Sequence, residues 1–366
     1  MVVKKKIAII AWFPPPMHGL AKAVDTLYKS RLNDKYDFDA INLVGNKYIF
    51  RTIWSILKQK RDICYFTISQ SKFGNMRDLF ILWAMMATKA KCIIHLHGGN
   101  YKHLMDEEFG ALQRWLNRKT VKLLDAAIVL SKSLVQNFSE YIDASRIFVV
   151  PNCIDQEFVL SEEQFLAKNN KMKQSNEVHV LFLSNMIASK GYKEVLSVAK
   201  MAKNCGNANL FFHFAGKFFD KTEKEHFFSF VKDNSLQVNV IHHGVVLGEE
   251  KRNLLQSCDV FILPTTYPWE GQPISILEAM GNGMAIITTN HSGIPDIVED
   301  GKNGLVIDRN NIDAKKMYEY LIYLLGNKNV LTTISSENYK TSMREYTEEN
   351  YVNNMEYVFE KVISAR

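Results

Sequence analysis

The segment Asp259–Asp308, DVFILPTTYPWEGQPISILEAMGNGMAIITTNHSGIPDIVEDGKNGLVID, decides the fold. Its first apolar run, Val260–Leu263, is bounded by Pro264, as is typical of a strand buried on both faces of a parallel sheet. A loop, a short helix predicted over Ile274–Met280 and a second apolar run, Met284–Thr288, follow. Because parallel strands end at one edge of the sheet, both loops open onto one crevice, where backbone amides and helix dipoles attract phosphate. This half of the chain is expected to hold a phosphorylated ligand.

Two carboxylates, Glu270 and Glu278, lie eight residues apart in this segment. Most glutamates are solvated surface charges, and for an isolated pair that is the commoner interpretation. Beside a phosphorylated ligand, however, each carboxylate needs another role, such as accepting hydrogen bonds from hydroxyl groups. Sugars supply such hydroxyls, so the pair indicates a sugar-containing ligand.

The string Glu270–Thr288, EGQPISILEAMGNGMAIIT, resembles the signature EGxPxxxLEAMxxGxxVIxT of the family 4 glycosyltransferases, and Ser292–Ile307 resembles the block that follows it. These are retaining, nucleotide-sugar-dependent enzymes of the GT-B fold. The resemblance implies an α/β protein of two Rossmann-like, doubly wound domains that face an interdomain cleft. It also implies transfer of a sugar from a nucleotide diphosphate sugar, with a UDP-sugar favoured, to a hydroxyl of a glycan or lipid-linked acceptor in bacterial surface polysaccharide synthesis.

Length and composition fit a two-domain protein of a reducing compartment. The chain has 366 residues, of which 47% are hydrophobic, and this length favours two domains of about 150 to 200 residues. Its five cysteines are scattered without a CxxC pair, which favours structural thiols. No apolar run approaches the roughly 18 residues of a membrane span, and the N-terminus lacks a small-residue cleavage site. We expect a cytoplasmic, unprocessed protein.

Basic residues are concentrated in the first part of the chain. Residues 1–165 hold 23 Lys and Arg against 16 Asp and Glu, whereas the remainder holds 22 against 23. No nucleic-acid partner is expected, since zinc-finger spacing, an RRM signature and a helix-turn-helix pattern are not found. Peripheral contact with an anionic membrane on its cytoplasmic face, or a lipid-phosphate acceptor, fits the excess better.

Two helices are predicted in this part of the chain, and the first of them bears on membrane contact. The segment Asn46–Lys60 has helical spacing with a basic edge. It is either a membrane-interface helix, with Trp54 at headgroup depth, or an ordinary sheet-covering helix with a solvated basic face, and amphipathicity alone describes both. The segment Arg77–Ala90 is strongly apolar and is predicted to be a buried helix.

The domain boundaries follow from changes in pattern. Residues 1–165 are predicted to form the N-terminal, acceptor-side domain. The polar stretch Ser161–Glu177 lacks a strand pattern and is predicted to be the linker. The C-terminal, nucleotide-sugar-binding domain is predicted over residues 177–347, and the resemblance implies that the helix of residues 348–366 crosses back to the first domain.

Loop and strand residues of the first domain supply further candidates. Gly19 resembles the family's N-terminal glycine loop, although a plain turn is the commoner reading of one glycine. A lone histidine is more often a core residue, but His97 stands at the end of a strand and resembles the family's HG segment, which favours contact with the transferred sugar. His95 is expected to point to the opposite face.

Asp37 and Asp39 have the DxD spacing of some metal-dependent glycosyltransferases, but alternation places both on the outer face of a strand, and no metal site is predicted.

The second domain supplies the donor site. Lys190 follows a strand in the sequence SNMIASKG and is placed to pair with a departing diphosphate. Family members have an arginine where this chain has Asn185, so Lys190 is expected to carry more of the charge. By resemblance, the strand exit at His243 and Gly244 lies near the nucleotide base. The residues expected to bind the donor are Gly19, Asn185, Lys190, His243, Gly244, Glu270, Gly271, Gln272, Pro273, Ile274 and Glu278.

The resemblance also implies roles for the charged side chains. Glu278 would hold the ribose hydroxyls, Glu270 the sugar hydroxyls, and His97 would orient the sugar. Lys190 and the amides after Glu270, with the glycine turn at Gly19, would stabilise the leaving diphosphate. The catalytic group is therefore His97, Glu270 and Lys190, and neither a divalent metal nor another cofactor is expected.

Two other functions stay open at this point. A nucleotide-sugar 2-epimerase shares the fold and the donor, but would lack this Glu-x7-Glu string in its usual form. A non-catalytic nucleotide-sugar-binding or membrane-docking protein is the alternative from a different class. The asparagine in place of the family's arginine, Asn185, is the feature that favours it.

Overall fold

A computed structural model describes residues 3–15, 19–43 and 49–365 of the chain. Strands and helices alternate along it. The strands are β1 Lys5–Ala11, β2 Tyr36–Asn42, β3 Ile63–Thr67, β4 Lys91–Leu96, β5 Ala126–Val129, β6 Ile147–Val149, β7 Val178–Leu183, β8 Leu210–Ala215, β9 Val240–Gly244, β10 Val260–Leu263, β11 Ala285–Thr289 and β12 Gly304–Ile307.

The helices connect and cover these strands. They are α1 Gly19–Lys29, α2 Ile49–Lys58, α3 Lys72–Ala87, α4 Tyr101–His103, α5 Ala111–Lys122, α6 Glu162–Gln174, α7 Tyr192–Asn204, α8 Lys221–Asp233, α9 Gly248–Ser257, α10 Ile274–Gly281, α11 Ala314–Gly326, α12 Lys328–Glu345 and α13 Glu348–Ser364.

The strands form two six-stranded sheets, in the orders β2-β1-β3-β4-β5-β6 and β12-β11-β10-β7-β8-β9. Neighbouring strands are parallel throughout both sheets. In each sheet the winding direction reverses once, between β1 and β3 in the first and between β7 and β10 in the second. Ligands of open parallel sheets bind beyond the carboxyl ends of the strands at such reversals. The predicted α/β, doubly wound fold is confirmed.

The apolar runs of the sequence become strands because both faces of each sheet are covered. Every residue of β3, β5, β10 and β11 is buried. A strand buried on both faces needs apolar side chains at successive positions, which explains runs such as VFIL in place of an alternating pattern. Polar chemistry is thereby confined to the loops.

The chain divides into two compact units. The first contains the described residues of Met1–Cys153, together with Trp269–Gln272 and Glu348–Arg366, and the second contains Ile154–Pro268 and Pro273–Thr347. Helix α13 packs on the first sheet through buried side chains, and Glu356 accepts a hydrogen bond of 2.7 Å from Arg31. The tetrapeptide Trp269–Gln272 thus packs with a unit other than that of its flanking residues.

A helix occupies the stretch for which a linker was predicted, and the first unit ends at Cys153 where the prediction placed residue 165. Helix α6 begins at a capping box formed by Ser161 and Gln164. Its buried Phe165 stacks on Tyr339, with ring centroids 4.2 Å apart. The sequence of this stretch is mostly polar because the helix buries only two residues. Two buried residues are too few to give the apolar periodicity that predicts a helix.

Two helices of the first unit differ from their predictions. Helix α3 begins at Lys72, after the N-cap Ser71, where the prediction began at Arg77. It is not fully buried, because its outward side chains, among them Phe73 and Phe80, are exposed. Helix α2 spans Ile49–Lys58, and the first residues predicted for it lie outside the described part of the chain.

Asp39 has a structural partner. The guanidinium of Arg61, only 5% exposed, donates through Nε to Asp39 Oδ2 at 2.9 Å. Within residues 3–15, 19–43 and 49–365, no group of three or more His, Cys, Asp or Glu could hold a metal ion. Metal independence stays a prediction. Over the same residues, no helix combines the length and the apolar character that crossing a bilayer requires.

Three histidines on adjacent strands of the second sheet form a hydrogen-bonded row. His179 Nδ1 lies 3.0 Å from His213 Nε2, and His213 Nδ1 lies 3.0 Å from His243 Nε2. Burial, followed by the neighbouring imidazoles, lowers the pKa of His213 to about 4. The central imidazole is therefore neutral over the physiological range, and it links the predicted base-side residue His243 to the body of the sheet.

This row predicts a loss of stability in acid. An unfolded histidine has a pKa of about 6.5, so the unfolded chain binds the His213 proton first as the pH falls. Stability linked to His213 is complete above about pH 6.5 and declines towards pH 4. A His213→Asn variant should lose less stability between pH 7.5 and pH 5 than the parent, measured by urea unfolding.

The exposed histidine of α8, His226, provides the control. A His226→Asn variant should show the acid sensitivity of the parent. An unchanged pH dependence in His213→Asn would contradict the assignment.

Candidate functional site

The first part of the site lies where β4 ends. The half-buried His97 follows this strand, and Gly98 and Asn100 after it are buried. Gly271 packs directly on this turn, since a Cβ at Gly271 would lie 2.8 Å from both Gly98 Cα and the His97 carbonyl oxygen. No larger residue fits there without movement of backbone. The close approach places Glu270, which precedes Gly271 and is 7% exposed, beside the His97 turn.

Gln70, which sequence reasoning missed, joins the two loops. It lies beyond β3, at the reversal of the first sheet. Its side-chain oxygen accepts a hydrogen bond of 3.0 Å from the Asn100 amide, and its carbonyl oxygen accepts one of 2.8 Å from Trp269 Nε1. One residue thus fixes the turn after His97 and the loop that carries Glu270. Glutamine at the end of a strand carries no sequence signal for this role.

A second anchor holds the other end of Trp269–Gln272. The buried Gln272 accepts through Oε1 from the Asn152 amide at 2.7 Å, and the Asn152 side chain donates to the Gln272 carbonyl at 3.0 Å. Gln272 was predicted to bind the donor. The structure gives its side chain a positioning role, because it fastens Glu270 and Gly271 to the first unit.

His95 differs from its prediction. Its ring does not point away from His97 but lies against it, with centroids 3.9 Å apart and the ring planes tilted by 32°, because residues two apart share one face of a strand. The Tyr65 hydroxyl lies 2.7 Å from His95 Nδ1. Burial, with a smaller effect of His97, holds the pKa of His95 well below its usual range. His97 therefore rests on a neutral, fixed imidazole.

In the second unit, Lys190 lies in the turn between β7 and α7. Gly191 follows it with φ of 89°, and a Cβ there would lie 2.6 Å from the Pro264 carbonyl oxygen, so the turn packs against the end of β10. The amide of Thr266 donates to the Ser189 carbonyl at 2.8 Å. Since β7 and β10 flank the reversal of this sheet, these contacts place Lys190 where a parallel sheet binds its ligand.

Lys190 is held by an aromatic neighbour that the sequence did not reveal. Its Nζ lies 4.4 Å from the centroid of the Tyr267 ring. His291 Nε2 lies 2.8 Å from the Tyr267 carbonyl oxygen, and Arg309 Nη1 lies 3.0 Å from His291 Nδ1. Because arginine can only donate, His291 Nδ1 accepts and Nε2 carries the proton. The row from Arg309 to Lys190 fixes the loop after β10.

Glu278 lies on α10 and is 5% exposed. Lys251 of α9 donates to Glu278 Oε1 at 2.6 Å, and Lys251 Nζ also lies 4.3 Å from the Phe158 ring. Buried carboxylates require such a partner. The pair fixes the Glu278 side chain on α10, and sequence reasoning missed Lys251 because it lies 27 residues away on another helix.

The other predicted donor residues lie at strand ends or helix starts. Gly19 is the first residue of α1, and Asn185 is exposed beyond β7. His243 and Gly244 end β9, with Gly244 at φ of 73°. Pro273 is the N-cap of α10 and Ile274 its first residue. His97, Glu270, Gly271 and Gln272 are brought together in the first unit, and Lys190, Tyr267 and Pro264 in the second.

The Gln70 contacts generate a prediction. A Gln70→Leu variant keeps most of the side-chain volume but loses the hydrogen bond from the Asn100 amide and the 3.5 Å contact of Gln70 Nε2 with the Trp269 carbonyl oxygen. We expect amide hydrogen exchange to become about fivefold faster in the segments around Asn100 and Trp269 together, since one hydrogen bond contributes about 1 kcal/mol. Exchange mass spectrometry measures both segments. A Gln174→Leu control on the exposed surface of α6 should change neither, and independent behaviour of the two segments would contradict the assignment.

The Lys251–Glu278 pair generates a prediction about stability. Lys251→Met leaves a buried carboxylate without its cation, which should lower the free energy of unfolding by about 3 kcal/mol or more. Adding Glu278→Gln should restore part of the loss. Lys302→Met removes an exposed pair with Glu299 and should change the free energy of unfolding little, because solvent screens exposed charges. Denaturant unfolding measures all three, and equal effects of Lys251→Met and Lys302→Met would contradict a buried pair.

Comparison with known proteins identifies the family. The family model of glycosyl transferases group 1 matches residues 163–346. That of Glycosyltransferase Family 4 matches residues 28–158. Together they match parts of both units and agree with the resemblance of the Glu-x7-Glu string.

Curated relatives share parts of the chain. An uncharacterized glycosyltransferase of Methanocaldococcus jannaschii is 22% identical over 88% of this chain and 80% of its own length. UDP-Gal:alpha-D-GlcNAc-diphosphoundecaprenol alpha-1,3-galactosyltransferase of Escherichia coli is 25% identical over 75% of this chain and 70% of its own length. The putative colanic acid biosynthesis glycosyltransferase WcaL of Salmonella typhimurium is 41% identical, but over only 19% of this chain and 18% of its own length.

Solved structures share the fold. Anabaena HepE in complex with UDP superposes with a TM-score of 0.76 at 14% identity, over 97% of this chain and 100% of its own. Sucrose-phosphate synthase of Thermosynechococcus elongatus gives 0.75 at 12% identity, over 99% and 100%. The chain therefore belongs to the glycosyl transferases group 1 family and is a glycosyltransferase with the two-domain GT-B fold.

Proposed function

We propose that this glycosyltransferase moves a sugar, with retention of anomeric configuration, from a UDP-sugar to a hydroxyl of a lipid-linked glycan in bacterial surface polysaccharide synthesis. The enzyme would need no metal, and it would act at the cytoplasmic face of a membrane. One observation carries the proposal. At the reversal of the second sheet, the Lys190 turn packs on Pro264, and the helix after the same strand presents the buried Glu278.

The chemistry of the donor explains these two side chains. Departure of a nucleoside diphosphate develops negative charge, and a cation placed beforehand stabilises that charge by about 3 to 4 kcal/mol in a water-excluded site. Lys190, fixed over the Tyr267 ring, supplies such a cation. Glu278, fixed by Lys251, is suited to accept hydrogen bonds from the ribose hydroxyls. The two charges match the two ends of a nucleoside diphosphate.

The first unit would act on the transferred sugar. His97 rests on the neutral His95 ring, and Glu270 is carried by a loop fastened at Trp269 and Gln272. A carboxylate and an imidazole that are both held in place can orient sugar hydroxyls with little reorganisation during reaction. We assign Glu270 to those hydroxyls and His97 to the orientation of the reacting carbon.

The relatives support the choice of donor and acceptor. The name of the Escherichia coli relative specifies UDP-galactose and a diphosphoundecaprenol acceptor. Anabaena HepE was crystallised with UDP-glucose. A UDP-sugar and a lipid-linked acceptor are therefore the first candidates to assay.

The test is transfer of isotope from labelled UDP-sugars to a bacterial membrane extract. Lys190→Ala should lower turnover by about a hundredfold to a thousandfold, because one charge-stabilising donor is lost, and Lys190→Arg should recover part of it. Glu278→Ala should weaken donor affinity in calorimetry. Lys200→Ala, an exposed lysine of α7, is the matched control and should behave as the parent.

Two outcomes would contradict the proposal. One is turnover in Lys190→Ala equal to that of the parent. The other is donor consumption that yields an epimer, or no product, in place of a glycosylated acceptor. The anomeric configuration of the product, read by NMR, tests retention separately.

A further inference from the structure

Helix α3 carries an apolar stripe on its outward side. Phe73, Met76, Phe80 and Trp83 follow one another at spacings of three and four residues, so that they share one helix face. All four are exposed, with Phe73 at 79%. The opposite side of the helix already packs in the core through Leu79, Leu82 and Met85. The stripe is therefore additional to what the fold requires.

The two helices beside α3 extend the stripe. Helix α2 exposes Phe50, Trp54 and Leu57, with Phe50 at 82%, and α5 exposes Leu112 and Trp115, with Leu112 at 71%. The three helices are packed together: α2 contacts α3, and Trp83 Nε1 donates to Thr120 Oγ1 of α5 at 2.9 Å. The residues of this apolar face are Phe50, Trp54, Leu57, Phe73, Met76, Phe80, Trp83, Leu112 and Trp115.

The exposed charges on the three helices that carry the apolar face have one sign, and the exposed Glu107 and Glu108 lie before the start of α5. Exposed charged side chains of α2, α3 and α5 are all basic, namely Arg51, Lys58, Lys72, Arg118, Lys119 and Lys122. The one acidic residue of these helices, Asp78, is 1% exposed and lies 2.7 Å from Arg77. Lys58 Nζ lies 4.6 Å from the Trp54 ring, so cation and aromatic share one surface. Such a face matches a partner that is apolar inside and anionic at its surface.

We propose that the apolar face docks on an anionic lipid bilayer. Tryptophan and phenylalanine enter the boundary between headgroups and acyl chains, while lysine and arginine pair with anionic headgroups. A second copy of the chain fits less well, because a self-contact would bring basic side chains against basic side chains. Large exposed apolar patches mark interaction sites in proteins that lack a membrane span.

The inference deepens the proposed function, on which it rests for the identity of the lipid-linked acceptor. A lipid-linked acceptor lies in a bilayer, so an enzyme that acts on it must reach the bilayer surface. The apolar face places the first unit there. Docking itself is a property of the surface and is measured without donor or acceptor.

The experiment is co-sedimentation of the full chain with phosphatidylcholine vesicles, with and without phosphatidylglycerol. The parent should bind the anionic vesicles and bind neutral ones at least tenfold more weakly. Phe73→Ser/Phe80→Ser should lower the partition by about tenfold or more, because each buried aromatic side chain contributes strongly. The matched control is Phe219→Ser, which removes an aromatic residue that is 66% exposed in the second unit.

The charges are tested separately. Lys119→Glu/Lys122→Glu should lower binding to anionic vesicles by about tenfold or more, whereas Lys221→Glu/Lys224→Glu on α8 should leave it unchanged. All the changed positions are exposed, and circular dichroism verifies folding of each variant.

Three results would overturn the inference: equal binding by Phe73→Ser/Phe80→Ser and the parent, equal binding to neutral and anionic vesicles, or a dimer in sedimentation that the Phe73→Ser/Phe80→Ser change abolishes. A thermal-shift titration with UDP-sugars, without vesicles, separates this from the proposed function. Vesicle binding without any donor-induced shift would support docking and count against the UDP-sugar donor of the proposed function. A thermal shift with a UDP-sugar but no vesicle binding would support the proposed donor and count against docking.

Discussion

Parallel strands covered on both faces leave their polar chemistry to the loops at their carboxyl ends, and the rest of this structure depends on that constraint. In the second sheet, Val260 pairs with Val180, so the turn after β7 and the loop after β10 start side by side. The contact of Gly191 with Pro264 follows from that register. In the first sheet, the same constraint gathers Gln70 and the His97 turn at the ends of neighbouring strands. Each sheet thus brings one group of polar side chains together at the carboxyl ends of its strands.

These side chains are fixed by residues that were not among those predicted to bind the donor. His291 holds the backbone of Tyr267, Lys251 holds Glu278, and Gln70 holds the loops of His97 and Glu270. Side chains fixed beforehand stabilise developing charge without the cost of reorganisation. The strands are held rigid by hydrogen bonds to neighbouring strands. The loops are held rigid by hydrogen bonds to residues that are distant in sequence. Rigid loops suit a transferase, because the enzyme must hold both substrates in place while charge develops on the leaving group.

The strands and their loops could be predicted from the sequence because runs such as VFIL and the glycines and prolines after them are local signals. Partners such as Gln70 and Lys251 could not, since they are ordinary residue types whose role depends on distant neighbours. Helix α6 was missed because it buries only Phe165 and Met172. The helix predicted over Arg77–Ala90 was expected to be buried because apolar content alone does not distinguish a face that packs on a sheet from one that is exposed, as Phe80 and Trp83 are.

The family membership and the GT-B fold are shown, and the central claim beyond them is the position of the donor. The most direct measurement is a crystal structure of the chain with a bound UDP-sugar. We predict a diphosphate oxygen within hydrogen-bond distance of Lys190 Nζ and the ribose hydroxyls on the Glu278 carboxylate. A nucleotide bound with full occupancy away from both side chains would contradict the account.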